Sequence, residues 1–167
     1  MSRLVEKALQ FATAAHEGQV RKYTGEPYIV HPVEVMEIVK TVSDDAAMHA
    51  AALLHDVVED TDITIEDIIR EFGDDVAQLV DDLTDVSKPE DGNRKTRKAL
   101  DRAHSAMASA RAQTVKLADL ISNGRDILQH DRHFAKVFLA EKDLLLEVLT
   151  KGDAKLHAIA SEIVHNG

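Results

Sequence analysis

Apolar residues recur at three- and four-residue intervals along almost the whole chain, and no segment shows the strict alternation of a strand. That pattern restricts the chain to an all-α fold. Residues 2–17 carry Leu4, Ala8, Phe11, Ala12 and Ala15 on one face, which predicts a first helix. Gly18 breaks the pattern, and Gly25, Pro27 and Pro32 mark an irregular loop over 18–30. Proline is tolerated in a first helical turn, so a second helix is expected over 32–42. Ser43 or Asp44 can cap the next one. Its face, AAMHAAALLHDVV, is small and apolar and lets neighbouring helices come close, so it reads as the central helix.

Thr64 and Asp67 have the spacing of a capping box that opens a helix over 65–72, with Gly73 ending it. Val76, Leu79, Val80 and Leu83 predict a helix over 74–86, and SKPEDGN (87–93) a polar loop. Longer helices are expected near 94–107, 109–128 and 133–150, and a last one near 154–164 after Gly152. No repeat, low-complexity run or linker sets off a second domain. A chain of 167 residues buries a substantial core, and residues 1–167 are expected to form one helical bundle.

Composition narrows the function. The net charge of −10 argues against a nucleic-acid polymer or an anionic membrane as partner, because phosphate affinity comes mainly from Lys and Arg. Small anions stay open, since a local cationic cluster works within a screening length of about 8–10 Å. No apolar run approaches the roughly 18 residues of a membrane span, and MSRLVEKALQ has no signal-peptide pattern, so a cytoplasmic location is expected. With no cysteine in the chain, any metal must sit on nitrogen and oxygen.

The chemistry-bearing feature is His55-Asp56 within LLHDVVEDT. On a helix, adjacent side chains point about 100° apart, so the pair can offer two donors to an ion lodged between helices. Imidazole with a carboxylate suits Zn, Mn or Fe. His31, at the loop-to-helix junction, and Asp119, in the apolar stretch TVKLADLISN, are candidates for the remaining ligands. Asp56 and Asp119 sit among apolar neighbours that would bury them. A buried carboxylate needs a compensating charge, which a metal supplies. Glu59 and Asp60 follow Asp56 by three and four residues, near the same helical face. They either position and deprotonate a water or form a solvated helix end.

Three ordered segments, HEGQVRKYTGEPYIVHP (16–32), HDVVEDT (55–61) and VKLADLISN (115–123), together with FGDDVAQLVDDLTDVSK (72–88), resemble the hydrolase domain of the RelA/SpoT homologue family. The resemblance covers about residues 5–150 and implies an HD-type helical bundle. It also implies an enzyme that removes the 3′-diphosphate of ppGpp and pppGpp as pyrophosphate, with one Mn²⁺ ion as cofactor. With no synthetase or regulatory region following, the chain looks like the stand-alone small alarmone hydrolases, including the animal Mesh-type enzymes. Carried over by motif, His31, His55, Asp56 and Asp119 match the metal ligands, and Glu59 and Asp60 the water-activating pair. Arg21, Lys22 and Asn123 match nucleotide contacts. Arg94 and Lys98 either touch phosphate or form a solvated basic face.

Leu120 stands where many long members have Arg after KLAD, and the RK-to-His loop varies in length across the family. Both features touch the nucleotide. The substrate therefore stays open to an adenine alarmone or the 2′-phosphate of NADPH. A different HD nucleotidase and a non-enzymatic sensor or antitoxin are the competing classes. The intact ligand set and the Glu59-Asp60 pair favour the enzyme. A homo-oligomer is compatible with all of these readings.

Overall fold

The computed structural model describes residues 1–167 and is all-helical. The sole β-type pairing is an isolated antiparallel bridge between Val20 and Pro27. The chain forms two compact units, residues 1–84 and 85–167.

The first unit contains α1 (Arg3–Ala15), α2 (Val30–Lys40), α3 (Ala46–Leu54), α4 (Val57–Asp60), α5 (Ile65–Phe72) and α6 (Asp74–Leu83). As the small-residue face required, α3 is central, with α1, α2 and α6 packed on it. Every residue from Met48 to Leu54 is buried. Its cap is Asp45 rather than Ser43 or Asp44. The Asp45 carboxylate accepts from the N–H groups of Ala47 (2.9 Å) and Met48 (3.4 Å), while Ser43 Oγ accepts from the Asp45 N–H. The capping box of α5 forms as read: Thr64 Oγ1 accepts from the Asp67 N–H, and the Asp67 carboxylate accepts from the Thr64 N–H. That arrangement, with the Arg70 guanidinium beside it, holds the Asp67 carboxyl below the usual carboxylate range.

The central helix is shorter than expected. Instead of running through His55 to Val58, α3 ends at Leu54, and Asp56 (φ −100°, ψ −3°) turns the chain before the single turn of α4. Asp56 thus lies in the sparsely populated bridge region, where many active-site residues are found.

The second unit holds a short 3₁₀ turn (Pro89–Asp91), α7 (Arg94–Met107), α8 (Ala110–His130), α9 (Arg132–Val148) and α10 (Ala154–Asn166). Helix α8 packs on α9 and α10, and α7 packs on α9. Gln113 of α8 is fully buried and joins three segments. Its Nε2 donates to the Ser105 carbonyl (3.1 Å), and its Oε1 accepts from the Lys151 N–H (2.9 Å). Paired this way, a buried amide stabilises the bundle rather than weakening it.

Candidate metal centre

The break between α3 and α4 brings the His-Asp pair to one point. His55 Nε2 lies 3.0 Å from Asp56 Oδ2, and His31 Nε2 lies 3.8 Å from the same oxygen. The ligand atoms of His31, His55 and Asp56 all fall within 4.8 Å of one another. Both imidazoles are buried. The Asp56 side chain keeps 16% of its surface exposed, so the cluster opens on its carboxylate side.

Local bonds settle which atoms are available. His55 Nδ1 lies 2.6 Å from the Ala52 carbonyl, which can only accept, so Nδ1 carries the proton. The lone pair of a neutral His55 is then on Nε2, facing Asp56 Oδ2 across 3.0 Å. Two lone pairs at that separation repel unless a cation lies between them. The donor set of two imidazole nitrogens and one carboxylate fits a divalent ion of the Zn, Mn or Fe kind.

Supporting side chains come from the loop before α2. Tyr28 donates its hydroxyl to Asp56 Oδ2 at 2.6 Å, and its ring lies 4.8 Å from that of His16 and 5.9 Å from that of His31. His16 Nδ1 meets Gln19 Oε1 (2.9 Å), and Gln19 Nε2 donates to the Asp60 carbonyl (3.0 Å). This framework ties α1 and the loop to α4. The sequence reading assigned no role to Tyr28, His16 or Gln19. The available signal was that all three fall in the segment that carries the family resemblance, with Tyr28 three residues before His31.

The same loop presents the basic pair. The Arg21 N–H donates to the Glu26 carbonyl (2.8 Å) and the Tyr28 N–H to the Gln19 carbonyl (3.0 Å), closing a tight turn. Gly25 takes φ +74° there, a conformation that suits glycine. Arg21 is buried, whereas Lys22 is exposed with its ammonium 5.3 Å from the Tyr23 ring centre.

Glu59 and Asp60 both keep exposed surface on α4, and the Asp60 N–H donates to the Asp56 carbonyl (3.0 Å). Desolvation of its carboxyl, then the neighbouring Asp56 charge, pushes the Asp60 pKa up. His16, His55 and His31 pull the other way. A carboxylate raised toward neutrality is a better proton acceptor than an ordinary one.

The remaining predicted residues lie in the second unit. Asp119 and Asn123 are one helical turn apart on α8, and Asn123 Nδ2 donates to Asp119 Oδ1 at 3.1 Å. Asn123 therefore holds a candidate ligand. Of the two further basic candidates, Arg94 is engaged by Glu141 through contacts of 2.9, 3.1 and 3.2 Å. Lys98 lines a small pocket with Lys116 of α8 and Lys142 of α9. His49 of α3 is buried, and its Nε2 meets the Ser43 carbonyl at 2.7 Å.

Comparison with known proteins adds to this geometry. A family model described as an HD domain matches residues 8–144. The Drosophila melanogaster guanosine-3′,5′-bis(diphosphate) 3′-pyrophosphohydrolase MESH1 is 42% identical over 124 residues, covering 72% of this chain and 68% of that protein. A GTP pyrophosphokinase of Streptomyces coelicolor is 42% identical over 124 residues, 74% of this chain. The chain spans only 14–17% of the length of such long relatives. Among solved structures, one described as a metazoan ortholog of SpoT that hydrolyzes ppGpp superposes with a TM-score of 0.89 at 32% identity. That match covers 99% of this chain and 96% of the other.

Proposed function

The chain belongs to the HD-domain family, and from that premise we propose that it hydrolyses the 3′-diphosphate of the guanosine alarmones ppGpp and pppGpp, releasing pyrophosphate and leaving GDP or GTP. The observation that carries the reading is the convergence of His31, His55 and Asp56 within 4.8 Å, beside the acidic residue Asp60. The likeness to MESH1 and to the metazoan ppGpp hydrolase supports the substrate.

In this proposal His31, His55, Asp56 and Asp119 would hold one divalent ion, Mn²⁺, which would supply charge to polarise the ribose-attached phosphate and acidify a water. Asp119 enters through its VKLAD motif and the Asn123 bond that holds its carboxylate. Glu59 and Asp60 orient the attacking water and take its proton. The water oxygen bonds to the phosphorus on the ribose 3′ oxygen, that P–O bond breaks, and the 3′ oxygen picks up a proton. Arg21 and Lys22 meet the nucleotide. Tyr28 positions Asp56 by its hydroxyl bond. The chain has no cysteine and no serine in a recognisable nucleophile motif, so the proposal has no covalent intermediate. The family match extends from residue 8 to 144, which supports reading the chain as one hydrolase domain. No helix is long and apolar enough to cross a membrane. A cytoplasmic location belongs to the same proposal.

The test is release of GDP and pyrophosphate from ppGpp by purified protein with Mn²⁺, resolved by ion-exchange chromatography. Controls are a chelator and Asp56→Ala, which should lower turnover by about 1,000-fold or more while the protein stays helical. Wild-type turnover in D56A would reject the ligand assignment. A folded, metal-loaded protein that leaves ppGpp intact would reject the substrate, and ppApp and NADPH would be assayed next.

A further inference from the structure

His16 caps the C-terminal end of α1 and is 2% exposed. Its neighbours settle where its protons are. Gln19 Nε2 donates to the Asp60 carbonyl (3.0 Å), so the Gln19 amide turns its acceptor Oε1 toward His16 Nδ1 at 2.9 Å. Nδ1 therefore carries the proton, and a neutral imidazole has its lone pair on Nε2. That nitrogen is buried and has no hydrogen-bond partner in the protein. An acceptor buried in this way is costly, and such groups are commonly completed by one ordered water.

The imidazole belongs to the surroundings of the candidate metal centre without touching a candidate ligand. Its ring lies 4.8 Å from that of Tyr28, which in turn bonds Asp56. Gln19 spans from His16 to the backbone of Asp60. The Asp60 carboxyl feels the ring too. Burial and then the Asp56 charge raise its pKa, and of the three imidazoles opposing that rise His16 acts most strongly.

Resting on the hydrolase reading, we propose that His16 is the positioning residue for Asp60, through two contacts. Nδ1–H holds Gln19 and with it the Asp60 backbone, while Nε2 accepts from a water whose second O–H donates to the Asp60 carboxylate. Water suits this place because both groups are acceptors and it carries two donors. The carboxylate is thereby held in the orientation in which it meets the attacking water, and small misplacements of such a group cost turnover.

Two substitutions separate the contacts. Asparagine reaches the Nδ1 position and keeps a donor for Gln19 but has nothing at Nε2, whereas glutamine reaches the Nε2 position with an acceptor. With Mn²⁺ and ppGpp, His16→Asn should lower kcat about tenfold, the worth of one hydrogen bond, with KM and the thermal melt unchanged. His16→Gln should recover part of that loss. Wild-type kcat in His16→Asn, or no recovery in His16→Gln, overturns the proposal, and His16→Gln against wild type decides if the asparagine variant does not fold.

A second readout needs neither metal nor turnover. In chelator at pH about 8, above the ordinary histidine range, ¹⁵N NMR of histidine-labelled full chain should show His16 protonated on Nδ1. Its signals are identified by their loss in His16→Asn, and the Nε2 resonance should move in Asp60→Asn. A proton on Nε2, or an Nε2 resonance that Asp60→Asn leaves in place, overturns the link between the two residues. Wild type that leaves ppGpp intact would reject the hydrolase reading, and the spectra would still decide whether His16 and Asp60 are joined.

Discussion

A phenol three residues before a histidine looks like a core aromatic, yet the Tyr28 hydroxyl bonds to the one oxygen that both candidate imidazoles approach. Such outer bonds orient ligands, and their loss commonly weakens metal affinity by 10–100-fold. Tyr28→Phe should therefore bind Mn²⁺ about 10–100-fold more weakly in a calorimetric titration, with stability little changed. Unchanged affinity would make Tyr28 a packing residue. Lys142 gives a prediction of a different kind. Its folded-state pKa of about 8 lies below the ordinary 10.5, so between these values the unfolded chain binds more protons. Stability from this group therefore rises with pH across that window. Lys142→Met should be more stable than wild type at pH 7 by about 1–3 kcal/mol, the gain shrinking as pH climbs from 8 toward 10.5. Urea melts across pH check both sign and window.

Among the elements, α3 does the most to position the cluster of His31, His55 and Asp56. Small residues allow α1, α2 and α6 to pack around α3, and its end at Leu54 lets His55 and Asp56 converge. A continuous helix would have splayed the two side chains about 100° apart. Helix α8 carries Asp119, Asn123 and the pocket residue Lys116, and it is anchored by Gln113. Gln113→Leu keeps the volume but strips partners from the Lys151 N–H and the Ser105 carbonyl. The loss should be about 2–3 kcal/mol in denaturant melts. A loss below about 0.5 kcal/mol would mean that water takes over those bonds.

For the molecule as a whole, metal and stability should be linked. An ion that binds only the folded chain stabilises it by about 2.7 kcal/mol at one hundred times its Kd. For a chain of this length that corresponds to a rise in Tm of about 5–10 °C. Calorimetric scans with Mn²⁺ should show such a rise in wild type and little in Asp56→Ala. Equal rises in both would place the ion away from the His31, His55 and Asp56 cluster. On the hydrolase proposal the charge of −10 also bears on substrate capture, since local cations would hold a phosphorylated ligand against a repulsive field.

Helix positions followed from periodicity, caps and glycine stops, because those signals act within a few residues of the chain. The 65–72 helix and its capping box are the clearest case. The chemistry of the candidate ligands was legible too, since the cysteine-free chain leaves imidazole and carboxylate as donors. Helix ends were less so: α3 starts at a different cap and stops four residues short of Val58, because the bridge-region turn at Asp56 arises from packing. What only the tertiary structure decided is who meets whom. It took the fold to place Tyr28 on Asp56 across 28 residues, whereas Asn123 meets Asp119 by helical spacing alone. The fold also gathered cations of α7, α8 and α9 around Lys142. Local sequence specifies backbone conformation and side-chain chemistry, whereas the distance between remote side chains is set by how whole helices pack.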